Sequence, residues 1–463
     1  MTRREWIAAS AAASMAACGA REKKRPPNIV LIMADDLGYH HLGCYGQEKI
    51  RTPHLDRMAQ EGLLFTDAYA GCTVCAPSRS ALMTGLHTGH TPVRGNEGGL
   101  PLPAASVTMA EVLRDAGYAT GIFGKWGLGE MGTEGIPTRQ GFDEALGPLH
   151  QVHAQYYYPE YLWKNEAPLA LAGNRNGGQN QYAPDVMVDG AVDFLRRHKD
   201  RPFFLYHPSI IPHHEYQAPA EAMAEYTGKF REEPFVREDR GFAAQPQPVA
   251  AFAAMVTRLD AHVGRILAEV DSLGLARDTL VIFTSDNGAA GSFQPLVDAF
   301  DGSAPLRGFK TDLYEGGIRV PMIARWPGSV AAGRSSHACA FWDYLPTFAA
   351  LAGASAPASA ADGLSFVHAL VGRPQTEHDF LYWETTRRGK LVQAVRAGNW
   401  KAVRLEPGRP LELYDLAADI AESKDLAGSN PEVVQRIETY LATCREDPPQ
   451  LVEPGWRKPD LGA

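Results

Sequence analysis

The sequence predicts an α/β fold, a mostly parallel sheet sandwiched by helices, with a small C-terminal α+β subdomain. Three observations carry it. Residues 28–34 (NIVLIMA) and 279–285 (TLVIFTS) hold continuous rather than alternating apolar stretches of strand length, the pattern of strands covered on both faces. Helical periodicity lies between them: Val188, Val192 and Leu195, then Phe252, Val256, Leu259, Val263, Ile266 and Val270, step by three or four. Residues 380–404 alternate as short antiparallel strands before a closing helical pattern at 431–444.

A chain of 463 residues with 45% hydrophobic content can bury a large core, and it divides into one large domain and a smaller one. The net charge of -9 and the absence of a Lys/Arg track exclude general nucleic-acid binding. Any affinity for anions must be local.

Residues 1–18 read as an export signal, with Arg3-Arg4 ahead of an Ala-rich apolar run too short to span a membrane. Arg3, Arg4 and Trp6 resemble a twin-arginine signal, and Met15-Ala16-Ala17-Cys18 resembles a lipobox that offers Cys18 as a lipid anchor, although Met15 replaces the usual Leu. The expectation is a periplasmic protein or an outer-membrane-anchored lipoprotein; a plain cleaved signal, or an N-terminal helix of no targeting value, is the alternative. A charged, Pro-containing linker covers 19–27, the large domain 28–372 and the small one 373–463. Six cysteines imply no disulfide framework.

The first strand ends in Asp35-Asp36. In open α/β sheets sites form at that edge, and adjacent acids there repel unless a cation or proton intervenes. Residues 71–85 follow, reading as a short helix that Pro77 suits in its first turn and Thr84-Gly85 stops. Cys75 then sits at the helix N-terminus with Arg79 one turn on, a cradle for sulfate or phosphate. Cys72 and Cys75 also spell CxxC, a redox pair or half a zinc site, but no second CxxC or local His pair completes a metal set.

Residues 107–118 read as an amphipathic helix closed by Gly117, and residues 120–126 as a strand bringing Lys125 toward Asp35. The His- and Tyr-rich stretch 150–159 is an insertion that could cover a site. A helix at 184–198 and a buried strand at 202–206 lead to His213-His214. After the long helix that Gly274 ends, the strand at 279–285 delivers Asp286-Asn287. Three carboxylates and an amide, all oxygen donors, suit Ca²⁺ or Mg²⁺ rather than zinc. A helix at 343–352 has Asp343 as its expected N-cap, and an Ala/Ser/Pro-rich linker follows it.

Cys75-Ala76-Pro77-Ser78-Arg79 with Thr84-Gly85 resembles the signature of the type I sulfatases, whose Cys is oxidised to formylglycine. The resemblance extends to Asp35-Asp36-Leu37-Gly38 followed by Thr52-Pro53-His54-Leu55-Asp56, to Gly124-Lys125-Trp126-Gly127-Leu128-Gly129, to the loop Pro212-His213-His214, and to the run from Leu306 to Pro321 that contains Lys310. It implies an alkaline-phosphatase-like sheet, a formylglycine hydrate made from Cys75 by a maturation enzyme, and a cation, Ca²⁺ ahead of Mg²⁺, held by Asp35, Asp36, Cys75, Asp286 and Asn287. It further implies that Arg79 and Lys125 support the hydrate, and that His213 and Lys310 contact the sulfate. One departure stands out: Gly127 occupies the position of the family's histidine. His153 is the expected replacement and base, with His150 second.

The implied substrate is a sulfated carbohydrate or an aryl sulfate. Two other activities fit the same residues: a formylglycine-dependent phosphodiesterase or phosphonate hydrolase, and a non-catalytic glycan-binding surface lipoprotein with Cys75 unmodified.

Overall fold

The computed structural model describes residues 25–237, 239 and 241–461; the stretch expected to be an export signal, with Cys18, lies outside them. Five parallel strands form the centre of a ten-stranded sheet, in the order Thr279–Ser285, Asn28–Ala34, Phe203–Pro208, Ala119–Phe123 and Glu144–Gly147. All seven residues of Asn28–Ala34 and of Thr279–Ser285 are buried, so neither strand has a wet face to alternate against. Successive side chains supply two cores: Val30, Ile32 and Ala34 enter one, and Ile29, Leu31 and Met33 the other.

The helices Ala183–His198 and Pro248–Ser272 cover the first core, burying Met187, Val188, Ala191, Leu195, Val256, Leu259 and Val263. Both start with proline in the first turn, where its missing N–H costs nothing. The helix expected over 107–118 is shorter, Met109–Asp115, because Thr108 and Glu111 close a reciprocal capping box.

Antiparallel pairs flank the parallel centre on both sides, and beyond one of them the edge strand Gly333–Ser335 runs parallel to Leu63–Phe65. Met322–Arg325 pairs with Thr279–Ser285, and Tyr161–Lys164 with Ala167–Ala170 extends the other side directly after the His/Tyr-rich insertion. Asp343 is the N-cap residue of the helix Tyr344–Ala352, but its side chain makes no cap bond there. Its carboxylate instead accepts the N–H groups of Ala340 and Leu364, closing a preceding turn and a later loop.

The C-terminal sheet has four antiparallel strands, Leu381–Arg387, Lys390–Ala397, Trp400–Arg404 and Glu412–Asp415. Its strand alternation follows from two apolar faces. Trp383, Ala394 and Val403 pack on Tyr69 and Trp342 of the large domain, while Tyr382, Val395 and Ala402 pack on Ile437 and Leu441 of the helix Pro431–Leu441. No disulfide joins the described cysteines; Cys72, Cys75, Cys339 and Cys444 are buried and Cys44 half-buried.

Candidate active site

The C-terminal ends of four parallel strands meet at one point. Ala34 and Ser285 are register partners, so Asp35-Asp36 and Asp286-Asn287 leave the sheet side by side, and the Asp36 N–H donates to Asp286 Oδ1 at 3.0 Å. Asp36 sits at φ 65, a left-handed conformation that Asp tolerates better than most residues. Consecutive side chains of an extended chain point to opposite sides; this turn brings both acids to Cys75, whose Sγ lies 3.5 Å from Asp35 Oδ1 and 3.9 Å from Asp36 Oδ1.

Cys75 is the first residue of the helix Cys75–Thr84, which Gly85 ends in a left-handed cap. All ten of its residues are buried. The helix start is fastened from two sides: Ser78 Oγ donates to the Asp286 carbonyl and accepts from the Gly71 N–H, while Asn96 Oδ1 accepts the Ala76 N–H at 2.9 Å. Asn96 had no signal in the sequence, since it lies in a loop with no motif.

Three cations neutralise the three acids. Arg79 donates to Asp286 Oδ2 through Nε (3.1 Å) and Nη2 (2.8 Å) and spans to the Lys125 carbonyl (2.8 Å); Lys125 Nζ lies 2.8 Å from Asp35 Oδ2. Lys310 Nζ reaches both oxygens of Asp36, at 2.7 and 2.8 Å. Burial alone would raise the Asp36 carboxyl, but Lys310 and His213 outweigh it and hold it well below the usual range. Asp286 moves the other way, raised by burial and by its like-charged neighbour Asp35.

Burial pushes the Cys75 thiol far up against the pull of Lys125 and Lys310, so an unmodified Cys75 is a protonated thiol, a poor nucleophile and a poor zinc ligand. The zinc reading of CxxC fails on geometry too. The Cys72 thiol donates to the Glu384 carbonyl at 3.6 Å, and among the described residues no His, Cys, Asp or Glu group close enough to share an ion includes it.

Asp35, Asp36, Cys75 and His213 form such a group. Beside them Asn287 Nδ2 donates to Asp36 Oδ1 at 2.8 Å, while its Oδ1 is buried with no hydrogen-bond partner. A buried orphan acceptor next to three carboxylates is an oxygen set that fits a hard divalent cation. His213 Nε2 lies 3.6 Å from Asp36 Oδ2, and its Nδ1 meets the His214 carbonyl. Burial brings His213 down to about 3, so it stands neutral, with the proton on Nδ1 and the Nε2 lone pair toward the site.

His153 lies apart from this group. Its Nε2 meets the Tyr161 carbonyl at 3.0 Å and its ring packs on Tyr161 and Trp456, so it lacks the geometry that its expected role needs. His150 pairs with Glu453 instead. The side chain beside Gly127 is Gln151. A Cβ added at Gly127, which has φ +80, would come within 2.5 Å of Gln151 Nε2. An amide can orient a group there but cannot accept a proton as imidazole does.

The sulfatase family model matches residues 27–354, and a model described as N-sulphoglucosamine sulphohydrolase, C-terminal, matches residues 309–447. Human arylsulfatase A is 36% identical, with 89% of this chain and 86% of that protein covered. The N-acetylgalactosamine-6-O-sulfatase of Bacteroides thetaiotaomicron is 28% identical over 92% of this chain and 94% of its own. Among solved structures, Ps i-CgsB in complex with k-i-k-neocarrahexaose superposes with a TM-score of 0.76 at 30% identity, covering 92% of this chain and 94% of that one. The central sheet thus has the alkaline-phosphatase-like form expected of it. With a strand-end acid cluster, a helix-mouth cysteine and a family match along most of its length, the chain belongs to the type I sulfatases and is a sulfuric ester hydrolase.

Proposed function

We propose that the protein hydrolyses sulfate esters of glycans through a formylglycine made from Cys75 by a maturation enzyme. The observation that carries this reading is Cys75 at a helix N-terminus, its Sγ 3.4 Å from Lys310 Nζ and 3.5 and 3.9 Å from Asp35 and Asp36. As a thiol this atom is inert; as a hydrated aldehyde it would furnish a hydroxyl for attack at sulfur.

Asp35, Asp36, Asp286 and Asn287 would hold a divalent cation, Ca²⁺ in preference to Mg²⁺, which when bound polarises a sulfate oxygen. Lys310 neutralises a remaining sulfate oxygen and, as the protonated member of the pair, can donate to the departing alcohol, while neutral His213 presents Nε2 to the site as an acceptor. Lys125 and Arg79 orient Asp35 and Asp286, so the acids face inward without repelling one another. Gln151 is the polar group available beside Gly127.

The glycan part of the reading is supported by what the relatives' names state: N-acetylgalactosamine-6-O-sulfatase for one, a complex with k-i-k-neocarrahexaose for another. Sulfated galactose or N-acetylgalactosamine units are the first substrates to try. Residues 1–18 support export, with Cys18 as a lipid anchor.

The test is natively matured protein assayed on matched aryl sulfate and aryl phosphate esters, with mass analysis of the peptide containing Cys75. The expected result is an aldehyde at position 75 and a strong preference for sulfate. Preference for phosphate would favour the phosphodiesterase reading. An unmodified thiol with no turnover would leave only glycan binding.

A further inference from the structure

The tip of the C-terminal sheet carries a feature that sulfate-ester hydrolysis at Cys75 does not use. The turn after Leu381–Arg387 and the loop before Glu412–Asp415 enclose a cavity of about 590 Å³ lined by Arg387, Arg388, Lys390 and Arg409, with Leu405 and Glu406. On a chain of net charge -9, this is a local concentration of positive charge.

Its charges are only partly compensated. Lys390 and Arg409 share one carboxylate, Glu406, and Arg387 pairs with Asp312. Arg388 has no ion pair among the described residues. Glu412, which also lines the cavity, is occupied by the hydroxyls of Tyr314 and Tyr414 at 2.6 and 2.8 Å.

The cavity is tied to the active site by two routes. Asp312, the partner of Arg387, lies two residues from Lys310, and the intervening Thr311 N–H donates to the Thr73 carbonyl at 3.1 Å, just ahead of Cys75. The Glu384 carbonyl touches Cys72, and Arg387 lies three residues farther along that strand, about 10 Å at the usual rise per residue. Both links set the cavity beside the segments that carry Lys310 and lead into Cys75.

We propose that this basic cavity binds further sulfate groups of a polysulfated glycan whose reacting ester is held at Cys75, and so sets a preference for densely sulfated chains over monosulfated esters. The inference deepens the glycan-sulfatase reading and rests on it.

Two measurements keep the readings separable. The Cys75→Ala protein, which cannot turn over, is titrated with a fluorescently labelled heparin-derived hexasaccharide at several salt concentrations, alongside the same protein carrying Arg388→Gln and Arg409→Gln. The expected result is binding weakened about tenfold by the two substitutions, with a shallower salt dependence. Equal affinity, or no binding by either protein, would overturn the proposal. In parallel, matured protein with only Arg388→Gln and Arg409→Gln is assayed on p-nitrophenyl sulfate, where unchanged kcat/KM is expected and a matching loss would also overturn it. If the matured parent protein hydrolyses no sulfate ester while hexasaccharide binding still depends on the two arginines, the sulfatase reading fails and the cavity assignment stands.

Discussion

Lys310 Nζ bridges Asp36 and Cys75, 2.7 and 2.8 Å from the two carboxylate oxygens and 3.4 Å from the sulfur. Burial works against its charge, yet Asp36, Cys75 and Asp35 together hold its pKa well above the ordinary lysine value. It is therefore cationic at any working pH. Lys310→Ala is expected to cost about 100-fold or more in kcat/KM on an aryl sulfate, the scale of losing one preorganised charge contact. Lys310→Met, of similar volume, should behave alike. Wild-type turnover in either would remove Lys310 from the reaction.

Asn287 Oδ1 is buried without a partner beside three carboxylates, so adding Ca²⁺ should stabilise the fold as well as support activity. Linkage sets the size: about 2.7 kcal/mol at a hundredfold excess of cation over Kd. Chelation should lower the thermal midpoint and Ca²⁺ restore it, with Asn287→Ala responding more weakly. A midpoint indifferent to chelator in the parent protein would contradict the cation assignment.

Lys401 ties the small sheet to the large domain. It is fully buried, 2.8 Å from Glu315 and 3.4 Å from Glu422, and Glu315 also receives Tyr69 Oη and Arg319 Nη1. Lys401→Met would leave an excess of buried negative charge, and about 3–5 kcal/mol of stability should go with it. The exposed pair Arg196–Glu269 is the contrast, where Arg196→Ala should cost less than about 1 kcal/mol. Denaturant titrations of both variants measure the difference.

Glu130 is buried, receives one N–H from Met131, and leaves Oε2 without a partner. Burial, with Glu453 adding to it, raises its carboxyl from 4.5 to about 7. The folded protein thus holds this proton more tightly than the unfolded chain. The contribution to stability is full below pH 4.5 and lost as pH climbs to 7. Glu130→Gln, which keeps the acceptor for Met131, should gain on the parent by roughly 2 kcal/mol across that window. Parallel stability curves for the two proteins would refute the assignment.

Much of the site was readable because its residues sit where local chemistry marks them. Acids that end a fully apolar strand, and a cysteine followed by proline and arginine before a Gly stop, are visible in a window of ten residues. Each is a local event of chain geometry, and each is found at the predicted place. Asp343 stands at its expected N-cap, yet its carboxylate bonds Ala340 and Leu364, because which N–H groups a carboxylate accepts depends on loops that arrive from elsewhere. Asn96 carries no local mark, since its role is a single bond to the start of the Cys75 helix.

The sequence by itself determined the α/β order, the buried strands, the helix-mouth position of Cys75 and the donor types around it. These follow from hydrophobic periodicity and capping, which act over a few residues. Only the tertiary structure decided the partners. Asp35 and Asp286, 251 positions apart, are neighbours because Ala34 and Ser285 pair in register. Gln151 rather than His153 adjoins Gly127, because a one-turn segment presents one side chain to Gly127 and the other to the Tyr161–Trp456 stack. Such choices rest on packing between distant segments, for which a periodic pattern holds no record.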